Sequence, residues 1–246
     1  MRAADEPLAA AAQAIQHARR LVVLTGAGVS RESGIPTFRD ALEGLWAQYD
    51  PQQLASPVGF RRDPTLVWQW YAARRRAVAA AQPNAAHIAL ARLGAVKATT
   101  LITQNVDGLH EAAGSTAVLH LHGALDRYKC VDRGHGHDIA LETLPDAPPP
   151  CSVCGALLRP DVVWFGEMLP PEILSRAIAA TEQADLMLVV GTSGLVHPAA
   201  SLPLLAAQCG AVTIEVNPEA TALTPHMTLS LRGAAGIVLP ALVDSL

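Results

Sequence analysis

Short apolar runs recur along the 246-residue chain, and segments with helical periodicity separate them. The runs predict buried strands at residues 21–25, 99–103, 118–121, 161–165, 185–190 and 212–216. Apolar residues spaced three and four apart predict helices at residues 8–20, 65–81, 85–95, 171–183, 198–208 and 233–245. Strands that alternate with helices indicate an α/β fold with a Rossmann-like parallel sheet and helices on both faces.

Several of the predicted strands end in a polar or glycine-rich loop. The loops read GAG after the first strand, QNVD after the second, GTS after the fifth and EVNP after the sixth. Ligands of open parallel sheets bind at this carboxyl edge. Four such loops predict a site wide enough for a dinucleotide.

Two insertions interrupt the alternation of strands and helices. Prolines punctuate residues 41–63, which predicts a loop-rich, mobile cover in front of a helix. Residues 127–159 show no helix or strand period, so we expect a small module held by something other than a hydrophobic core. The expected division is a large domain from residues 1–40, 84–126 and 160–246, and a small domain from residues 41–83 and 127–159.

The composition excludes some classes of partner. Half of the residues are hydrophobic and 16% are charged, which is enough for a sizeable core. A formal charge of −4 gives no reason to expect binding to nucleic acid or to an anionic membrane. No apolar run is long enough to span a bilayer, and no secretion signal is recognisable, so the expected location is cytoplasmic. The oligomeric state stays open.

The turn Gly26-Ala27-Gly28 predicts a phosphate-binding corner. It is not the dehydrogenase fingerprint, because Arg31 stands where the closing glycine of G-x-G-x-x-G would fall. Alone, it is also consistent with a simple tight turn. The following residues favour a nucleotide, since Arg39 can pair with a phosphate and Phe38 can cover a flat ring.

Polar side chains at the next strand ends are candidate partners of a ribose. Gln104, Asn105 and Asp107 offer amides and a carboxylate, although Asp107 alone is also a plausible helix cap. His120 and His122 lie two residues apart, so a strand would point both in the same direction. We expect a structural role for His120 and a general base in His122, which follows it at the strand end.

Three clustered cysteines favour a metal site over a disulfide in an intracellular chain. Cys130 and the pair Cys151-x-x-Cys154 are the expected ligands, but Arg133 stands where a zinc ribbon would repeat its cysteine. A degenerate, empty site is the alternative. The role, if metal binds, is structural, and the fourth ligand stays open among His135, His137, Asp132 and water.

Tyr71 and Arg74 lie three residues apart on one face of a predicted helix. This spacing allows the pair to recognise a carboxylate. The alternative is that the run Arg74-Arg75-Arg76 is only a solvated face.

Taken together, these motifs resemble those of the sirtuins, which are NAD-dependent protein deacylases. The matching stretches occur in family order from residue 21 to residue 235 and read GAGVS, SGIPTFR, TQNVDGLH, LHG, VVWFGE and GTS, with a partial cysteine tetrad. The resemblance implies a Rossmann-like NAD domain and a small domain made of a helical insertion and a zinc-ribbon-like module. An acylated lysine would enter the cleft between them.

The resemblance also implies a reaction. The acyl oxygen attacks the anomeric carbon of the nicotinamide ribose, and nicotinamide leaves. The residue matching His122 then acts as general base on a ribose hydroxyl, with Asn105 and Asp107 completing the catalytic set. The products are free lysine, nicotinamide and O-acyl-ADP-ribose.

Further site residues follow from the same resemblance. Those implied to contact NAD are Gly26, Ala27, Gly28, Ser30, Ile35, Pro36, Thr37, Phe38, Arg39, Gln104, Asn105, Asp107, His122, Gly191, Thr192, Ser193, Asn217 and Ala235. Those implied to contact the substrate are Ala41, Tyr71 and Arg74 at the acyl group and a strand of Val163, Trp164, Phe165, Gly166 and Glu167 along the peptide. Zinc would be held by Cys130, Cys151 and Cys154.

The stretch QWYAARRR resembles the bacterial subgroup that removes negatively charged acyl groups. Arg74 would pair with the distal carboxylate of succinyl or malonyl lysine, Tyr71 would add a hydroxyl donor, and the small Ala41 would widen the pocket. We therefore expect desuccinylase and demalonylase activity, with deacetylation retained.

Two other functions are weighed against the deacylase. The first is a hydride-transferring NAD oxidoreductase, and the absence of G-x-G-x-x-G from this chain counts against it. An adaptor that binds NAD or ADP-ribose through a zinc module without turnover would leave the placement of His122 and Asn105 unexplained.

Overall fold

The computed structural model describes residues 5–36, 50 and 54–246, and a six-stranded parallel sheet forms the centre of this part of the chain. Its strand order is β3-β2-β1-β7-β8-β9, and a smaller antiparallel sheet has the order β5-β4-β6. The strands are β1 (Leu21–Thr25), β2 (Thr99–Thr103), β3 (Leu119–His120), β4 (Gly123–Cys130), β5 (Gly136–His137), β6 (Leu158–Val162), β7 (Leu186–Val190), β8 (Val212–Asn217) and β9 (Leu229–Arg232).

Helices cover both faces of the parallel sheet, which confirms the predicted fold class. The helices of the described ranges are α1 (Asp5–His17), α2 (Pro57–Arg62), α3 (Pro64–Ala80), α4 (Ala85–Val96), α5 (Leu109–Ala112), α6 (Pro171–Glu182), α7 (Leu202–Gln208) and α8 (Ala235–Asp244). Helices α1, α4 and α8 pack on one face and α6 and α7 on the other. None of these helices combines the length and apolar character that a membrane crossing requires.

Strand β1 shows why the hydrophobic run predicts a central strand. Leu21 and Val23 join the core cluster under α1, α4 and α8, whereas Val22 and Leu24 join the cluster under α6 and α7. A strand buried on both faces needs apolar side chains at every position, because successive side chains point to opposite faces. The chain runs from β1 to β2 on one side, and β7 lies on the other side of β1. This reversal of direction is the usual place for a ligand.

The region around the smaller sheet has a hydrophobic core, and the expectation that residues 127–159 lack one is wrong. Trp68 of α3 packs on Tyr128 of β4 with ring centroids 5.1 Å apart. Leu144 and Leu158 belong to the same buried cluster, as does Cys151. The periodicity gave no signal because each short segment contributes only one or two apolar residues and α3 supplies the rest.

Several element boundaries differ from the predictions. The strand expected at residues 161–165 is β6, which ends at Val162 because its pairing with β4 ends there. Strand β4 and the edge strand β9 were not predicted, and neither was helix α2. The expected domain borders at 126/127 and 159/160 fall inside β4 and β6, so the division into two domains stays a proposal. Most of the predicted mobile cover lies outside the described residues.

Candidate active site

The loops after β1 and β7 meet at the carboxyl edge of the sheet. The amide of Gly28 donates to the carbonyl of Gly191 over 2.8 Å. A Cβ at position 28 would lie 2.7 Å from that carbonyl oxygen, closer than real side chains come. Gly191 has φ +60°, a conformation that favours glycine. Glycine is therefore required for the two loops to approach each other this closely, and this backbone-lined corner, the cradle, is the candidate site for a diphosphate.

Ser30, Asn105 and Asp107 form one buried hydrogen-bond network beside this cradle. The Ser30 hydroxyl donates to Oδ2 of Asp107 over 2.9 Å, and Nδ2 of Asn105 donates to Ser30 Oγ over 3.0 Å. Asp107 also accepts the amide of Leu109 through Oδ1, so it caps the following turn as well. Because all three side chains are buried, each bond fixes the orientation of its neighbour.

Two buried histidines lie next to the network, and the sequence analysis did not find them. His87 Nε2 is 3.4 Å from Ser30 Oγ, and His110 Nε2 is 3.0 Å from Thr25 Oγ1. Burial lowers the pKa of both rings, and that of His110 falls to about 3. The capping-box spacing from Asn84 to His87 was the one available signal, since His87 Nδ1 accepts the Asn84 amide.

His122 lies at the same edge and, among the described residues, forms a hydrogen bond through one ring nitrogen. Its Nδ1–H donates to the carbonyl of Gln104 over 2.8 Å, which leaves Nε2 as the basic nitrogen. Burial lowers the pKa of His122, and the bond to Gln104 opposes that shift only in part. The ring is therefore neutral at pH 7 and able to take a proton.

His120 differs from His122 in having partners for both ring nitrogens. Its Nε2 is 2.6 Å from Glu111 Oε1, and its Nδ1 is 3.3 Å from the carbonyl of Asn105. Burial lowers the pKa of His120, but the hydrogen bond and charge of Glu111 outweigh it and the pKa is raised. These contacts are those of a structural histidine, the role expected for it.

Polar contacts also connect the loops after β2, β7 and β8. Gln104 Nε2 donates to Thr192 Oγ1 over 2.9 Å, and Asn217 Nδ2 donates to the Thr192 carbonyl over 2.9 Å. Ser193 is exposed in this loop. Ala235 is buried at the start of α8, which lies against the same edge, since the Gly236 amide donates to Glu32. The structure thus brings the residues expected at the adenosine end to one sheet edge.

The stretch that follows the first glycine loop is only partly described. Ala27 belongs to a short 3-10 turn, and the amide of Ile35 donates to the Ser30 carbonyl over 3.3 Å. Pro36 is exposed and ends the described segment. The expected contact residues beyond it lie outside the described residues and are Thr37, Phe38, Arg39 and Ala41.

Tyr71 and Arg74 lie on α3, where α3 faces β6 and the loop after it. Tyr71 is buried, and its hydroxyl accepts the indole N–H of Trp164 over 3.0 Å. Burial raises the pKa of Tyr71 to about 12, so the phenol is neutral. The Arg74 guanidinium lies 4.9 Å from the Trp70 ring centroid. Burial lowers the pKa of Arg74, and the electrostatic interactions with Tyr71 and Asp107 oppose that shift. Arg74 is thus partly buried, whereas Arg76 of the same helix is exposed.

Residues 163–167 form a loop, and the strand expected there is absent. The Val163 amide donates to the His122 carbonyl and the Phe165 amide to the Ala55 carbonyl, each over 2.8 Å. Gly166 turns the chain with φ +87°, and Glu167 accepts the Trp164 amide over 2.8 Å. Phe165 is 44% exposed. The loop therefore connects the region of His122, at the carboxyl edge of the large sheet, with the segment that precedes α2.

Comparison with known proteins identifies the family. The sequence profile of the Sir2 family matches residues 26–198, and these residues contain the cradle, the buried network and His122. The chain belongs to the Sir2 family.

Relatives cover nearly the whole of this Sir2 chain. NAD-dependent protein deacylase 1 of Archaeoglobus fulgidus is 54% identical over 234 residues, which are 93% of this chain and 94% of the relative. A solved Sir2 homologue–NAD complex is 50% identical, with a TM-score of 0.91, and the match covers 99% and 93% of the two chains. Sir2Af2 bound to a myristoylated histone peptide is 34% identical, with a TM-score of 0.80 and coverage of 98% and 96%.

The Sir2 chain also carries a four-residue cluster that fits a zinc ion. Its members are Cys130, His135, Cys151 and Cys154, and their ligand atoms all lie within 4.8 Å of one another. Three thiolates and one imidazole suit tetrahedral Zn²⁺. Among the residues left open as fourth ligand, the geometry favours His135. His137 Nε2 lies 3.2 Å from Cys151 Sγ and His135 Nδ1 lies 3.6 Å from it, but His135 is the histidine whose ligand atom lies within 4.8 Å of all three cysteine sulfurs.

Proposed function

We propose that this protein is an NAD-dependent protein-lysine deacylase that removes succinyl and malonyl groups and also acetyl groups. Family membership and the deacylase name of the Archaeoglobus fulgidus relative support the reaction class. The observation that carries it is His122, whose Nε2 is unprotonated at neutral pH and lies on the same sheet edge as Asn105 and Asp107.

The roles of the residues follow from this arrangement. NAD supplies the ribose carbon that receives the acyl oxygen, with nicotinamide as leaving group. The Gly28–Gly191 cradle would lie against the diphosphate, because glycine lets phosphates approach the backbone without added bulk. The amides of Gly28 and Gly191 themselves donate to the carbonyls of Gly191 and Val216. The Ser30–Asn105–Asp107 network would hold the ribose and the carboxamide. His122 would take a proton from a ribose hydroxyl through Nε2.

The proposed acyl preference rests on Tyr71 and Arg74. A guanidinium that is partly withdrawn from water binds a carboxylate more strongly than an exposed one, because fewer water molecules compete. A bound carboxylate also offsets the free-energy cost of burying the guanidinium charge. The neutral Tyr71 phenol adds a hydroxyl donor. An acetyl group lacks the carboxylate and would gain from neither contact.

The substrate is proposed to be an acylated lysine in a protein or peptide. The printed description of Sir2Af2 names an acylated histone peptide as its ligand. In the present chain the half-exposed Phe165 and the turn at Gly166 closely follow Val163, whose amide donates to the His122 carbonyl. The peptide would lie along this loop, with the lysine side chain directed between the large sheet and α3.

Zinc would have a structural role. Cys130, His135, Cys151 and Cys154 would hold the ion, which would join β4 to the turn at residues 151–154. Cys130 and Cys151 belong to the buried cluster that contains Trp68 of α3.

The experiment compares Arg74→Met with Arg76→Met, a matched substitution at an exposed position of the same helix. Purified protein is incubated with NAD and either a succinyl-lysine or an acetyl-lysine peptide, and mass spectrometry follows peptide, nicotinamide and O-acyl-ADP-ribose. We expect Arg74→Met to lower the succinyl/acetyl ratio of kcat/KM roughly 10- to 100-fold, the value of a charge-assisted bond, and Arg76→Met to leave it unchanged.

Two results would contradict the proposal. If neither peptide loses its acyl group in the presence of NAD, the proposed deacylase activity is rejected. A ratio that Arg74→Met leaves unchanged would reject the preference for charged acyl groups while leaving the deacylase standing.

A further inference from the structure

The hydroxyl of Tyr71 has a defined hydrogen-bond polarity. Within the described residues, the hydrogen bond it makes is the one it accepts from Trp164 Nε1–H over 3.0 Å. An indole nitrogen is only a donor, so Tyr71 must be the acceptor in this contact. The phenolic proton is therefore directed away from Trp164 and is available to another acceptor.

The indole of Trp164 is fixed on every side that the structure describes. The Arg159 guanidinium covers one ring face at 3.2 Å from the centroid, and Arg159 forms an ion pair with Glu167. Glu167 in turn accepts the backbone amide of Trp164 over 2.8 Å. The Phe60 ring packs at 5.3 Å, and the indole is 1% exposed. A ring held in this way presents its N–H in one direction only.

We propose that Trp164 is a positioning residue for acyl-group selection, because its N–H directs the Tyr71 hydroxyl proton toward the carboxylate of an acyl group held by Arg74. This inference rests on the proposed preference for charged acyl groups. It assigns part of that preference to Trp164, a residue 93 positions from Tyr71 in the chain.

A fixed donor direction matters because a phenolic O–H can take either of two orientations in the plane of the ring. Without the Trp164 bond, the Tyr71 hydroxyl would turn to whichever acceptor is nearest, and part of its contact with the substrate carboxylate would be lost. The buried phenol remains neutral with its pKa at about 12, so it is a donor throughout the working pH range. The expected loss is that of one neutral hydrogen bond, about 3- to 10-fold in the succinyl/acetyl ratio of kcat/KM.

The test replaces Trp164 and measures kcat/KM for succinyl-lysine and acetyl-lysine peptides. Trp164→Phe removes the N–H and keeps an aromatic ring. Trp68→Phe is the matched control, because buried Trp68 also donates its indole N–H, to the Pro145 carbonyl over 2.7 Å. We expect the ratio to fall for Trp164→Phe and to stay unchanged for Trp68→Phe.

A double-mutant cycle separates positioning from general disruption. If Trp164 acts through the Tyr71 hydroxyl, Trp164→Phe will lower the ratio in the native background and have no further effect on it in Tyr71→Phe. An equal fall in both backgrounds, or no fall in the native one, overturns the inference. If Arg74→Met lowers the ratio but Tyr71→Phe does not, the charged-acyl preference survives and the positioning role is rejected.

Thermal unfolding of each variant verifies that it is folded. If Trp164→Phe does not fold, Trp164 is replaced by β-(3-benzothienyl)alanine, which keeps the bicyclic shape and exchanges the N–H for sulfur. The same fall in ratio supports the inference, and an unchanged ratio overturns it.

Discussion

The catalytic edge of the large sheet and the acyl end beside α3 are assembled in different ways. At the edge, side chains of the loops that follow β1 and β2 bond to one another, as Ser30, Asn105 and Asp107 do. At the acyl end, Tyr71 of α3 meets Trp164 of the loop after β6. The first arrangement follows from the ends of neighbouring parallel strands. The second exists only once the small sheet has packed on the helix.

This difference separates two properties of the proposed enzyme. The groups at the catalytic edge would act on the ribose of NAD, which takes part in the reaction of every acyl substrate. The groups at the acyl end would contact only what distinguishes one acyl chain from another. Changes at the edge should therefore alter all substrates alike, and changes at the acyl end should alter their ratio.

The largest expected effect is that of His122→Ala. Loss of a general base lowers turnover by about 10²- to 10⁴-fold. Because the proton transfer is common to all acyl groups, succinyl and acetyl peptides should lose activity by the same factor. Steady-state kinetics with both peptides measures this. A change in the ratio as large as that caused by Arg74→Met would show that the two regions do not act separately.

The metal cluster gives the next prediction. Removal of a direct ligand by His135→Ala should weaken zinc binding by more than the roughly 10- to 100-fold typical of outer-shell partners. His137→Ala, which removes only a contact to Cys151, should fall within that range. Metal analysis after dialysis against a graded chelator compares the two variants. Equal zinc retention in both would contradict His135 as the fourth ligand.

Zinc loss should affect the acyl end more than the catalytic edge. Cys130 and Cys151 share a buried cluster with Trp68 of α3, so an apo protein loses order beneath the acyl end first. We expect the succinyl/acetyl ratio to fall more than NAD affinity does. Isothermal titration with NAD and kinetics on the zinc-depleted protein measure the two quantities.

The smallest effect concerns pH. Burial lowers the pKa of His122 below its ordinary value of 6.5. The lowered pKa favours the neutral base, so the acid limb of the activity has its midpoint below pH 6.5 and falls about tenfold per pH unit below that midpoint. The succinyl/acetyl ratio should stay constant down to about pH 5.5, because Arg74 stays charged and a carboxyl of Glu-like pKa near 4.3 stays ionised. Circular dichroism at each pH monitors folding, and an acid limb above 6.5 would contradict the assignment.

The predictions from sequence succeeded where a residue's neighbours in the chain decide its environment. The sequences of β1 and of the loop after β2 are enough to predict a buried strand and a polar loop at the carboxyl edge, since the strand ends of a parallel sheet meet at one edge. They failed where distant segments share the burial. The core of residues 127–159 depends on Trp68, and β6 ends at Val162 because β4 supplies no further partner.

The sequence by itself determined the fold class, the family and the identity of His122 as the candidate base, because each depends on short segments with their own pattern. Only the tertiary structure decided that His87 and His110 lie beside Ser30 and Thr25, that His135 joins the three cysteines, and that Trp164 donates to Tyr71. These contacts join residues far apart in the chain, and no local periodicity encodes a pairing that forms only when separate elements pack together.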